Sequence, residues 1–91
     1  MKNMIREEIK KKIKEILLDH KWINPGEEVH ECHSYECDYG MDSLDCLEMI
    51  MDIEKEYNIS IPDDKAERMR TVATTIDYLL QQLNSYESKQ N

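Results

Sequence analysis

Apolar residues return at helical spacing in three separate stretches of this chain, and that periodicity limits the possible folds more than any other feature. Ile5, Ile9, Ile13, Ile16 and Leu17 mark one face of a first helix over about residues 3–19. A second amphipathic run extends from about Ser43 to Tyr57. A third begins near Thr71 and continues through Val72, Ile76, Leu79, Leu80 and Leu83. Between the last two runs, Asn58 to Pro62 reads as extended, because Ile61 precedes a proline and is biased out of the helical region. A short helix then follows from Asp63 or Asp64 to about Met69, with acids in its first turn. Two glycines and two prolines in 91 residues leave few helix breakers. An all-α fold is therefore expected: a small four-helix bundle with a long first loop and a short third helix.

That first loop runs from about His20 to Met41, with Asn24-Pro25-Gly26 as its clearest turn signal. It is long for a compact domain, so Trp22, Ile23, Val29 and Tyr35 are expected to pin it to the helices. Residues 1–84 read as one domain, and 85–91 as a polar, frayed tail.

Charge excludes several functions. The net charge of −8 opposes nucleic-acid binding, since phosphates would be repelled. Seven of the twelve basic residues lie within the first 21 positions, whereas 27–67 holds fourteen acids against only Lys55 and Lys65. Such an acidic segment suits partners with basic patches. The charged N-terminus lacks the apolar core of a signal peptide, and no apolar run is long enough to span a membrane. With three cysteines and no leader, free thiols in a reducing cytoplasm are expected. A chain this short has one modest core and no deep catalytic cleft, so an enzyme is not expected.

The second helix carries more apolar surface than a bundle needs. At about 100° per residue, Cys46, Met49, Ile50, Ile53 and Tyr57 form one stripe, an ordinary core face. Leu44, Leu47 and Met51 form another, flanked by Asp45, Glu48 and Asp52. The second stripe reads as a recognition ridge, with apolar contact supplying affinity and the acids steering a basic partner. Burial of the helix on two sides is the alternative.

The ridge begins beside a distinctive triplet, Asp42-Ser43-Leu44. Gly40 permits a tight reversal and Asp42 is a good N-cap for the helix that follows. Ser43 thus sits next to the unpaired backbone N–H groups of a first turn, where a phosphate or phosphodiester is favoured.

Together these residues resemble the acyl carrier protein family. Tyr35, Asp38, Tyr39, Gly40, Met41, Asp42, Ser43 and Leu44 follow the family pattern around its modified serine. Asp45-Cys46-Leu47-Glu48-Met49-Ile50-Met51, Glu54-Lys55-Glu56-Tyr57, Ile61-Pro62-Asp63, Thr71-Val72 and Ile76-Asp77-Tyr78-Leu79 continue it in order. The resemblance implies a four-helix bundle that performs no chemistry itself. Ser43 would carry 4′-phosphopantetheine, attached by a phosphopantetheinyl transferase, and acyl chains would ride on that arm as thioesters. Fatty-acid and polyketide-type carriers share the motif. Docking would fall to Asp42, Leu44, Asp45, Leu47, Glu48, Met51 and Asp52, with Glu54 as a further candidate, and the helical interior would shelter the chain. A cytoplasmic monomer is expected. Tyr39 and Met41 depart from the family's usual residues beside the serine, and are expected to tune the fit of a transferase or partner. The alternative function is an unmodified acidic helical interaction module using the same ridge.

His30, Cys32, His33 and Cys37 offer four candidate metal ligands within eight residues. Their spacing matches no paired-ligand knuckle, and so short a loop would strain a tetrahedral site; loop packing with free thiols is the other reading. Cys46 belongs to the core stripe and reads as a small buried hydrophobe.

Overall fold

Five helices, described over residues 5–89 of a computed structural model, run in the order α1 (Arg6–Asp19), α2 (Tyr35–Tyr39), α3 (Ser43–Tyr57), α4 (Asp63–Ala66) and α5 (Val72–Lys89). The all-α expectation holds. α1, α3, α4 and α5 fall within a few residues of the helices expected, except that α4 stops at Ala66 and reaches Met69 as a turn. Residues 3 and 4, included in the first expected helix, lie outside the described residues, as do 90 and 91. The backbone of α5 stays helical to Lys89, into the segment read as a polar tail.

One short helix is additional to the four expected. The long first loop contains α2, a single turn that hydrophobic periodicity cannot reveal because five residues hold too few apolar positions. Its caps are nevertheless written in the chain. The Cys37 N–H donates to Ser34 Oγ at 3.2 Å, and the Ser34 N–H donates to Asp38 Oδ2 at 2.6 Å. Gly40 closes the turn at φ 65°, a left-handed conformation that glycine adopts without steric cost.

One core joins these elements. Ile9, Ile13, Ile16 and Leu17 of α1 pack with Met49, Ile50 and Ile53 of α3 and with Val72, Ile76 and Leu79 of α5. Ile23, Val29 and Tyr35 from the connection enter the same core, and Trp22 packs half-buried against it, as expected for a pinned loop. Met41 is buried too, with 2 % of its surface exposed. That corrects its expected role: a side chain inside the core cannot touch a partner.

The loop is held by more than apolar contact. Arg6 donates to Glu31 through Nε and Nη2 and to Asp77 through Nη1, so one guanidinium ties α1, the connection and α5. Ser34 and Thr71 form an antiparallel bridge. At the start of α5, the Val72 and Ala73 N–H groups donate to the carbonyls of His33 and Glu31 at 3.1 and 2.9 Å, and the Thr74 N–H donates to Thr71 Oγ1. The first turn of α5 is therefore closed by the loop, with its orphan donors used.

One buried and three partly buried phenols are expected to set an alkaline limit on the fold. Tyr35 is fully buried, its hydroxyl 2.7 Å from Thr75 Oγ1, and burial pushes its pKa up. Burial, with Asp38 and Glu27 nearby, pushes Tyr39 up to about 12, and burial likewise raises Tyr57 and Tyr78. A phenol with a raised folded pKa binds its proton more tightly in the native state. The stability it contributes is complete below the unfolded value of about 10 and is lost as pH rises through the folded value. Urea midpoints are expected to fall between about pH 10 and 12, together with growth of tyrosinate absorbance. A midpoint constant across that window would show that the phenols ionise without unfolding the chain.

Candidate functional site

Ser43 opens α3 as its first helical residue, and its side chain is exposed. Asp42 is the N-cap, as expected. The Asp45 N–H donates to Asp42 Oδ1 at 2.9 Å, and Asp45 Oδ2 accepts from the Asp42 N–H at 3.2 Å. This capping box consumes the third N–H of the turn, while the N–H groups of Ser43 and Leu44 are engaged by no described residue. The Ser43 hydroxyl is likewise unengaged among the described residues. The start of α3 thus differs from that of α5: among the described residues, two donors and a hydroxyl have no partner.

The two stripes of α3 separate as expected. Met49, Ile50 and Ile53 are buried, with Cys46 and Tyr57 partly buried beside them. Leu44, Leu47 and Met51 are 69 %, 51 % and 49 % exposed, three of the four large hydrophobics left outside the core among the described residues. Burial of α3 on two sides is overturned.

The acids flanking this ridge are less uniform than their sequence positions suggest. Asp42 and Asp45 spend one carboxylate oxygen each on the cap. Glu48 Oε1 lies 3.9 Å from His20 Nδ1, and Asp52 Oδ2 lies 2.5 Å from His20 Nε2. His20, stacked on Trp22 with ring centroids 4.3 Å apart, therefore orients two ridge acids from the end of α1. No sequence signal pointed to it. Glu54 leaves the candidate set: its Oε2 accepts from the Ile61 N–H at 2.7 Å, which fixes the extended segment after α3.

Beside Ser43 lies a cleft of about 320 Å³ between α2, α3 and α4, which sequence reasoning had no means of locating. Tyr35, Cys46, Leu47, Ile50, Ala66 and Met69 give it apolar walls, while Ser43, Glu36, Asp63, Glu67 and Arg70 complete its lining.

The histidine–cysteine segment does not assemble into a centre. His33 Nδ1 lies 2.8 Å from the Tyr39 hydroxyl, and its ring meets His30 edge-on at 4.9 Å. Cys32 and Cys37 are exposed free thiols. Among the described residues no three His, Cys, Asp or Glu side chains are grouped to hold a metal. Tyr39 thus contacts His33 through its hydroxyl and Tyr35 through its ring. Cys46 is partly buried, and burial raises its thiol pKa, with Glu36, Asp45 and Asp42 adding to the effect. Brief treatment with iodoacetamide at pH 8 is expected to alkylate Cys32 and Cys37 well before Cys46, since the thiolate is the reacting form. Peptide mapping that found Cys46 labelled first would contradict this burial.

The small helical bundle thus presents an exposed serine at a helix start, an apolar ridge and an adjoining cleft. Residues 1–79 match the protein family described as the phosphopantetheine attachment site. Acyl carrier proteins of two Porphyromonas gingivalis strains are each 42 % identical over 72 residues, covering 79 % of this chain and 91 % of theirs. The chain belongs to the acyl carrier proteins, whose cofactor is covalently attached 4′-phosphopantetheine. Among the described residues, no helix is long and apolar enough to cross a membrane.

Proposed function

We propose that Ser43 is the attachment point of the 4′-phosphopantetheine arm, and that the chain carries acyl groups as thioesters for fatty-acid or polyketide-type synthesis. The observation that carries this reading is the start of α3, where an exposed hydroxyl and the open N–H groups of Ser43 and Leu44 lie beside the apolar cleft. The residues fit the group. The open donors and the positive end of α3 offset the phosphodiester's charge despite Asp42 and Asp45 nearby. The cleft walls match the apolar part of a cargo chain. The arm supplies a thiol for the thioester; the protein supplies position, shelter and recognition.

Leu44, Leu47 and Met51 form the apolar centre of the docking face, and Asp42, Asp45, Glu48 and Asp52 its acidic rim. This pattern suits a phosphopantetheinyl transferase and acyl-synthesis enzymes with basic patches around an apolar recess. Met51 adapts its shape readily, which suits successive partners. The protein works as a cytoplasmic monomer in this reading.

The decisive experiment is intact-mass spectrometry after incubation with coenzyme A and a broad-specificity transferase. A gain of one phosphopantetheine in the wild type, absent from Ser43→Ala, is the expected result. No gain with several transferases would leave the ridge as the face of an unmodified interaction module.

A further inference from the structure

The rim of the cleft carries a charge pair whose placement bears on how cargo is held. Glu36, on α2, and Arg70, just before α5, both line the cleft with Ser43, and Arg70 is the one cation among the lining residues. Arg70 Nη1 lies 3.8 Å from Glu36 Oε1, with the two side chains 73 % and 56 % exposed. At that distance the pair attracts without a hydrogen bond, and at that exposure it holds weakly. Arg70 Nε donates to the Glu67 carbonyl at 3.3 Å, which orients the planar fork. The backbones beneath are fixed: the Tyr35 N–H donates to the Arg70 carbonyl at 3.1 Å, and Ser34 bridges Thr71. The rim can therefore change its pairing by side-chain movement alone.

We propose that Arg70 anchors the thioester end of a chain lodged in the cleft, exchanging Glu36 for the chain's carbonyl oxygen. The proposal rests on Ser43 as the attachment point. An alkyl tail gains by burial against Cys46, Ile50 and Met69, whereas its thioester carbonyl must stay at the rim and find a donor. A guanidinium offers five N–H donors and no acceptor, and the two contacts above engage only part of the fork. An oxygen on the third carbon gives that fork a second acceptor, so the cleft favours 3-oxo chains over saturated chains of equal length. Glu36 is the competitor for the same fork. No covalent bond is made or broken in this exchange.

The test loads wild type, Arg70→Gln, Arg70→Lys and Glu36→Gln from octanoyl-coenzyme A and from its 3-oxo analogue, with intact mass confirming loading and circular dichroism confirming the fold. Thioester cleavage by hydroxylamine then reports how firmly the chain is sheltered, and the arginine Nε resonance reports the contact directly. Arg70→Gln is expected to speed cleavage about threefold, the scale of one exposed charge contact, and more for the 3-oxo chain. Glu36→Gln is expected to slow cleavage, Arg70→Lys to lie between wild type and Arg70→Gln, and the Arg70 resonance to shift on loading. A purely structural latch would instead make both Gln variants faster, and that result, or unchanged rates, overturns the proposal while leaving Ser43 in place. Absence of any mass gain overturns the Ser43 reading and this one with it.

Discussion

Ser43→Ala is expected to fold as the wild type does and to accept no phosphopantetheine at all. The substitution removes only a hydroxyl that engages no described residue, at the first helical position of α3. Alanine is a strong helix former, and the cap comes from Asp42, so stability should stay within about 0.5 kcal/mol of wild type. Asp42→Ala makes the informative contrast. It deletes the carboxylate that accepts from the Asp45 N–H at 2.9 Å, and should cost about 1 kcal/mol of stability. Yet it leaves the nucleophile, so loading should slow without stopping. Urea unfolding and intact mass, read on both variants, separate the two roles. A loaded Ser43→Ala would place the attachment elsewhere.

Leu44→Ala combined with Met51→Ala is expected to weaken transferase docking about thirtyfold, at about 1 kcal/mol for each apolar anchor lost. Both side chains are about half exposed or more, so unfolding should be little affected. Leu47 is left intact in this variant because it also lines the cleft. On the other stripe, Ile53 is fully buried, and Ile53→Ala should cost about 2–5 kcal/mol through lost transfer energy and the cavity left behind. The kinetic loss for the ridge variant should appear in kcat/KM with the transferase, and raised salt should slow wild-type association by screening the acidic rim. Marked destabilisation of the ridge variant, or unchanged kcat/KM, would remove this face from the docking surface.

The elements that were legible in the sequence are those whose information is local. α3 is legible from Ser43 to Tyr57 because Asp42 is a capping residue and because two apolar stripes diverge about its axis. The exposed ridge followed from the same geometry, since a helix in a small bundle needs one buried face. The elements that were missed depend on contacts across the chain. α2 is too short for periodicity, although Ser34 and Gly40 marked its ends. Met41 is expected to tune the fit of a partner because it departs from the family's usual residue beside Ser43, but the chain after Gly40 buries it in the core. Glu54, a docking candidate only through the family resemblance, has its carboxylate accepting from the Ile61 N–H seven residues on.

By itself the sequence determined the class of fold, the position of Ser43 at a helix start, the two faces of α3 and the acidity around them, because capping, helical period and charge are properties of neighbouring residues. Only the tertiary structure decided which donors stay open. Loop carbonyls from Glu31 and His33 close the start of α5, and among the described residues no such segment reaches the start of α3. The cleft beside Ser43, the His20 contacts to Glu48 and Asp52, and the Glu36–Arg70 pair are likewise tertiary. Each depends on how helices and loops distant in sequence lie against one another, which local periodicity does not encode.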